Sequence, residues 1–115
     1  MWTTTAQVAD KILLLTRTTP KADCKRPTEG MTLFYTDLDR SKIEVRRIPK
    51  MGRSAVDSNA LFIDDLAVPE ADRIGEEGKG FRYLLDGLNP DRILFGVEAV
   101  GLGRDALRRA SAYAK

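Results

Sequence analysis

Ile74-Gly75-Glu76-Glu77-Gly78-Lys79-Gly80-Phe81 is the stretch on which the reading of this chain turns. Before it the sequence runs in short β-like segments; after it, in helical periods. Its glycines follow the order G-x-x-G-x-G, the reverse of the dinucleotide-binding fingerprint, and no parallel βαβ pattern surrounds them. A phosphate cradle is the weaker reading. A glycine-rich lead-in to a helix at Phe81 is the stronger.

Downstream, apolar residues at 81, 84, 85 and 88 keep helical spacing. Asn89-Pro90 predicts the start of a second helix, because Asn is a favoured N-cap and Pro at the first helical position forfeits no needed hydrogen bond. Asp91 then suits the positive end of the helix dipole. This helix is expected to run from Pro90 to Lys115, about 39 Å at 1.5 Å per residue. Arg104, Arg108, Arg109 and Lys115 lie toward its C-terminal end, where cations are favoured. Between Ile93 and Gly103 it is apolar almost all round, with only Glu98 interrupting. Such a helix expects neighbours on several sides. Gly96, Gly101 and Gly103 each weaken a helix by roughly 0.8–1 kcal/mol relative to Ala, which close approach by a partner backbone would explain. Either the chain oligomerises through this helix, or it is a piece of something larger.

Upstream, the pattern is strands and turns. Lys11-Ile12-Leu13-Leu14-Leu15-Thr16 suits a buried strand. Met31-Thr32-Leu33-Phe34-Tyr35-Thr36 is rich in strand formers. Asp37-Leu38-Asp39-Arg40-Ser41 supplies turn chemistry. Ile43-Glu44-Val45-Arg46 alternates as a half-exposed strand does, and Asn59-Ala60-Leu61-Phe62-Ile63 is a further strand, with Val68-Pro69 closing the region. Short strands between turns suggest an antiparallel sheet or barrel. The fold class is therefore α+β.

The 115 residues carry 19 Lys+Arg against 17 Asp+Glu, no His and one Cys. Imidazole chemistry is excluded, as are an internal disulfide and a multi-cysteine zinc site. A net charge of +2 is too small to imply nucleic-acid or anionic-membrane binding. The opening residues have no signal-peptide pattern, and the longest apolar stretch falls short of the roughly 20 residues of a spanning helix. A chain without a membrane span, cytoplasmic in location, is expected. Cys24 lies among Lys21, Lys25 and Arg26, which favour a thiolate, but an incidental surface thiol is the better reading.

Two carboxylate pairs, Asp64-Asp65 and Glu76-Glu77, read as solvated charge. Trp2, Thr3, Thr4 and Thr5 set hydroxyls beside a large ring, with a strand start as the plain alternative. Asn89, Asp91 and Arg92 cluster at the predicted helix start. Capping and dipole compensation account for Asn89 and Asp91 and leave Arg92 unexplained.

Taken together, five stretches resemble the acyl-CoA dehydrogenase family: Trp2-Thr3-Thr4, Lys50-Met51-Gly52-Arg53, Leu61 through Pro69, Ile74 through Phe81, and Asn89-Pro90-Asp91-Arg92 through Gly101. Their order and spacing match along essentially all of the chain. The resemblance implies that residues 1–77 are part of a middle β-barrel domain and that residues 78–115 begin a C-terminal helical domain, as one or two helices of a bundle. It implies FAD as cofactor and α,β-dehydrogenation of an acyl-CoA thioester, an oxidoreductase step of fatty acid metabolism. It implies electron-transfer flavoprotein as redox partner and a homo-oligomer, with a mitochondrial matrix location for a eukaryotic parent.

By the same resemblance Trp2, Thr3 and Thr4 lie against the flavin ring, with Thr4 hydrogen-bonding near N5. Asn89 and Arg92 contact the acyl-CoA, although the family often has Asp at the position of Asn89. Most members carry the catalytic Glu on a later loop. Isovaleryl- and long-chain types carry it on this helix immediately before the Arg, the position of Asp91, whose side chain is one methylene shorter. The expectation is a fragment inactive on its own. The alternatives are a self-associating interaction module without catalysis and a standalone flavin- or acyl-CoA-binding protein.

Overall fold

A computed structural model of the chain describes residues 1–114, so the predicted C-terminal cation Lys115 lies outside the described residues. Six strands precede one helix: β1 (Thr3–Thr4), β2 (Lys11–Arg17), β3 (Met31–Asp37), β4 (Ile43–Arg47), β5 (Ser58–Ile63), β6 (Arg73–Ile74) and α1 (Gly80–Tyr113). Short 3-10 turns occupy Lys21–Asp23 and Glu70–Asp72. The strands form two three-stranded antiparallel sheets, ordered β1-β5-β4 and β2-β3-β6. The chain divides into two compact units, residues 1–81 and 82–115.

The central strands of the two sheets are the best covered. In β3, Thr32, Leu33 and Thr36 are buried, and in β5, Ser58, Asn59 and Ala60 are. β2 departs from the expectation of a buried strand: Ile12 is buried, but Leu13 is 50 % exposed. The reason is its place at a sheet edge, where successive side chains alternate between a covered and an open face. The core of this unit is small. Ala6, Ile12, Leu38 and Ile43 form its centre, with Leu14, Val45, Leu61 and Leu66 packed against them. Each Leu, Ile or Val side chain contributes roughly 1.5–3 kcal/mol when fully buried, and Ala6 less.

Polar side chains fix the connections. Asp39 accepts hydrogen bonds from the Ser41 backbone N–H (2.9 Å) and hydroxyl (2.7 Å), a turn that the sequence there encodes. Those two donors hold the Asp39 carboxyl below its ordinary pKa. Arg17 orders the polar loop after β2 by donating to the carbonyls of Pro27 (2.6 Å) and Glu29 (2.9 Å). Cys24 sits half-buried within that loop, its thiol 3.4 Å from the Pro20 carbonyl.

The glycine-rich stretch is the lead-in to α1. Gly75 and Gly78 adopt φ of +70° and +76°, conformations that glycine takes at no steric cost. Gly80 is buried against β3: a Cβ there would lie 2.4 Å from the Leu33 nitrogen and 2.6 Å from the Thr32 carbonyl carbon. The fully buried Thr32 hydroxyl accepts from the Gly78 N–H at 2.9 Å and shares a 2.8 Å hydrogen bond with Thr18.

α1 is one helix of 34 residues with Pro90 inside it, so the predicted helix boundary at Asn89-Pro90 does not occur. An interior Pro costs about 3 kcal/mol. Ending one helix and starting another would orphan up to four N–H and four C=O groups and repeat a costly nucleation. The helix-forming residues on either side, Leu84, Leu85 and Leu88 before and Arg92 and Leu94 after, favour continuity. From Asp86 to Ala114 every residue but Asp105 is exposed. Asp105 pairs with Arg108 and Arg109 at 2.7 Å each.

Candidate functional site

The singled-out residues fall in different units. Trp2, Thr3 and Thr4 belong to the first, and Asn89, Asp91 and Arg92 to the second.

In the first unit, Thr3 and Thr4 are the whole of β1, an edge strand paired on one side with Asn59 and Ser58 of β5. Thr3 is half-buried, Thr4 is exposed, and the Trp2 side chain is 65 % exposed. Trp2 (φ +65°) and Thr5 (φ +57°) bracket the strand in left-handed conformations. Such a conformation costs a residue with a Cβ roughly 1–2 kcal/mol, and a β-branched Thr there is an outlier. Surrounding contacts must hold the bend. Arg40 supplies one set, donating to the carbonyls of Ala6 (3.2 Å), Gln7 (3.0 Å) and Ala9 (3.1 Å).

Asn59 supplies the other. It is fully buried in β5, paired with Thr3 in the ladder. Its Nδ2 donates to the Thr3 carbonyl at 3.1 Å and to Asp57 Oδ2, and its Oδ1 accepts from Gln7 Nε2 at 3.0 Å. The Asn59 amide beside Asp57 holds that carboxyl below its usual range, opposed by partial burial and assisted by the charge of Arg47. Gln7, Arg47, Ser54, Ala55 and Asp57 line an open cleft next to this network. The motif Lys50-Met51-Gly52-Arg53 lies in the loop from β4 to β5. There Gly52 and Arg53 adopt positive φ, and Lys50 donates to the Ser58 hydroxyl at 3.1 Å.

This arrangement presents an exposed indole and the exposed Thr4 hydroxyl on an edge strand, with the half-buried Thr3 turned to the opposite face and its carbonyl hydrogen-bonded to a buried amide. It offers a flat apolar surface beside a hydrogen-bond donor. Asn59, Gln7 and Arg40 were not singled out from the sequence. Apart from the nearby Asp57, their partners are 31 to 56 residues away along the chain, and only Asn59 fell within a recognised strand pattern.

In the second unit, Asn89, Asp91 and Arg92 are exposed on α1. The expected capping role of Asn89 and dipole role of Asp91 do not hold, because α1 begins at Gly80, well ahead of them. At about 100° per residue, Asn89 and Arg92 lie about 60° apart on one face, and Asp91 is turned about 100° from Arg92. The face that carries Asn89 and Arg92 therefore offers an amide and a guanidinium together.

Among the described residues, no group of three or more His, Cys, Asp or Glu side chains is arranged to hold a metal ion. No described helix is long and apolar enough to cross a membrane.

No family model matches the chain. Over 108 residues, 93% of its length, the chain is 35% identical to the cyclohex-1-ene-1-carbonyl-CoA dehydrogenase of Syntrophus aciditrophicus, covering 25% of that protein. It is 32% identical over 98 residues to the mitochondrial long-chain specific acyl-CoA dehydrogenase of Mus musculus, with 84% of this chain and 22% of that one covered. In three dimensions it resembles the crystal structure of the acyl-CoA dehydrogenase from Geobacillus kaustophilus. The TM-score is 0.69 at 34% identity, over 79% of this chain and 24% of the other. The chain spans about a quarter of the length of the curated relatives it matches.

Proposed function

Because this chain belongs to the acyl-CoA dehydrogenase family, we propose that it supplies flavin-facing and substrate-facing elements of a FAD-dependent enzyme that dehydrogenates an acyl-CoA thioester between Cα and Cβ. The observation that carries this reading is the Trp2-Thr3-Thr4 edge strand, an exposed ring and the exposed Thr4 hydroxyl on a strand whose Thr3 carbonyl is held by a buried carboxamide. A planar, heteroatom-rimmed cofactor such as a flavin suits that surface. In this reading residues 1–77 are part of a middle β-domain and residues 78–115 begin a helical one.

When bound, FAD accepts the hydride that leaves Cβ. Trp2 packs beside the ring and excludes water, and Thr4 donates a hydrogen bond to its edge. Asn89 and Arg92, on one face of α1, bind the acyl-CoA. Asp91 is the proposed base for the α-proton. Electron-transfer flavoprotein is the proposed electron acceptor.

The test is a chimera in which this chain replaces the corresponding residues of the Geobacillus kaustophilus enzyme. The expected product is yellow and reduces an artificial electron acceptor when given an acyl-CoA, whereas the isolated chain does not turn over. A folded chimera that holds no flavin would refute the reading, and turnover by the isolated chain would refute its dependence on further segments.

A further inference from the structure

We propose that Asn59 is a positioning residue for the Trp2-Thr3-Thr4 edge strand, its carboxamide tying the Thr3 carbonyl to the sheet interior and so setting the pose of the ring and the Thr4 hydroxyl. The inference rests on the flavin-facing reading above and adds a residue to it.

β1 has only two residues, and its ladder with β5 only two residue pairs. Left-handed backbone on both sides works against that short pairing. The Asn59 side chain adds a tie independent of the ladder, 3.1 Å from Nδ2 to the Thr3 carbonyl. Its orientation follows from its neighbours. Ionised Asp57 can only accept, so the amide nitrogen must face it, and the amide oxygen then faces the Gln7 nitrogen at 3.0 Å. A flipped amide would set its oxygen against two acceptors, the Asp57 carboxylate and the Thr3 carbonyl. Full burial means that water cannot substitute for a lost partner. The pose of this edge strand is thus set by a side chain placed 56 residues from Thr3 in the sequence.

The experiment separates positioning from plain stabilisation. Exchanging the pair, Asp57→Asn with Asn59→Asp, keeps a buried amide–carboxylate hydrogen bond but leaves residue 59 without a donor for the Thr3 carbonyl. Because the swap also buries a carboxylate at the fully covered position 59, a lower thermal midpoint is expected, and the positioning role is read from where in the fold hydrogen exchange quickens. Hydrogen exchange at the β1 amides should be faster by about tenfold, roughly one hydrogen bond's worth, and the fluorescence anisotropy of Trp2, the chain's single tryptophan, should fall. Gln7→Met, at an exposed position that spares folding, is expected to accelerate the same amides less. Unchanged β1 exchange and Trp2 anisotropy in both variants would overturn the proposal. So would an acceleration spread equally over β2 and β3, since that marks general destabilisation. Both readouts are taken on the flavin-free chain, so a chimera that fails to hold flavin with Asn59 intact counts against the proposed function alone.

Discussion

At the scale of single residues, the carboxylates govern the response to acid. Asp57 lies below its ordinary value of 3.8, chiefly because the Asn59 amide hydrogen-bonds its charged form. Asp39, Glu44 and Glu76 are lowered likewise, by donors from Ser41, Arg46 and Lys79 respectively. A carboxyl whose folded pKa lies below its unfolded one binds fewer protons in the folded state. Its stabilisation is whole above the unfolded value, about 4, and is lost as pH falls through the folded value. The melting temperature is therefore expected to stay level down to about pH 5 and to drop below about pH 4. Asp57→Asn should flatten part of that drop; coincident wild-type and variant curves would contradict the assignment. A second prediction concerns Thr32. Thr32→Val keeps the shape but removes the buried hydroxyl that pairs the part-buried Gly78 N–H, at a cost of about 1–3 kcal/mol in urea unfolding. A loss below about 0.5 kcal/mol, the range of neutral surface changes, would mean that the hydroxyl does not secure the lead-in to α1. A third concerns Asp91. Misplacement by about 1 Å can cost 10²-fold in rate, so in the chimera Asp91→Glu should raise kcat and Asp91→Asn should lower it. If neither moves kcat, the base lies elsewhere.

At the scale of elements, the glycines of α1 divide by surroundings. Nothing lies within 4 Å of a Cβ placed at Gly96, Gly101 or Gly103, whereas one at Gly80 would strike the backbone of β3. Alanine at the first three should each add roughly 0.8–1 kcal/mol to helix stability, read as higher helicity on warming. Gly80→Ala should instead cost about 1–3 kcal/mol by overpacking. Equal effects at the two kinds of site would contradict this division. The strands were legible in the sequence because alternation and turn residues are local signals: Ile43-Glu44-Val45-Arg46 lies within β4, and Met31 to Thr36 lies within β3. The continuity of α1 through Pro90 was not legible. Asn-Pro is a local preference for a start, and it loses to the cost of breaking a helix already under way. For the candidate site, Trp2, Thr3 and Thr4 were legible only as part of five motifs in register. Asn59 was legible as a strand residue but not as a tie to Thr3, because a buried amide within a strand looks in sequence like any polar strand position.

At the scale of the whole molecule, the apolar surface of α1 stands out against a chain with 31% charged residues. Ile93, Leu94, Phe95, Val97, Val100 and Leu102 are each more than half exposed. A contiguous apolar surface of this kind marks a site of association rather than a solvated helix. The apolar positions surround the helix instead of forming one stripe, which fits cover by several neighbours better than cover by one. On the proposed reading those neighbours are further helices of a bundle; in their absence the chain should use copies of itself. Sedimentation equilibrium is therefore expected to give an average mass that rises with protein concentration. Val97→Glu with Val100→Glu, three residues apart on one face of α1, should shift that mass toward the monomer without altering the β-sheet signal in circular dichroism. A wild-type chain that stays monomeric at micromolar concentration would remove self-association as a property of this helix. The family assignment would be untouched, because it rests on sequence identity over most of the chain and on the likeness to a solved structure, not on the exposure of one helix.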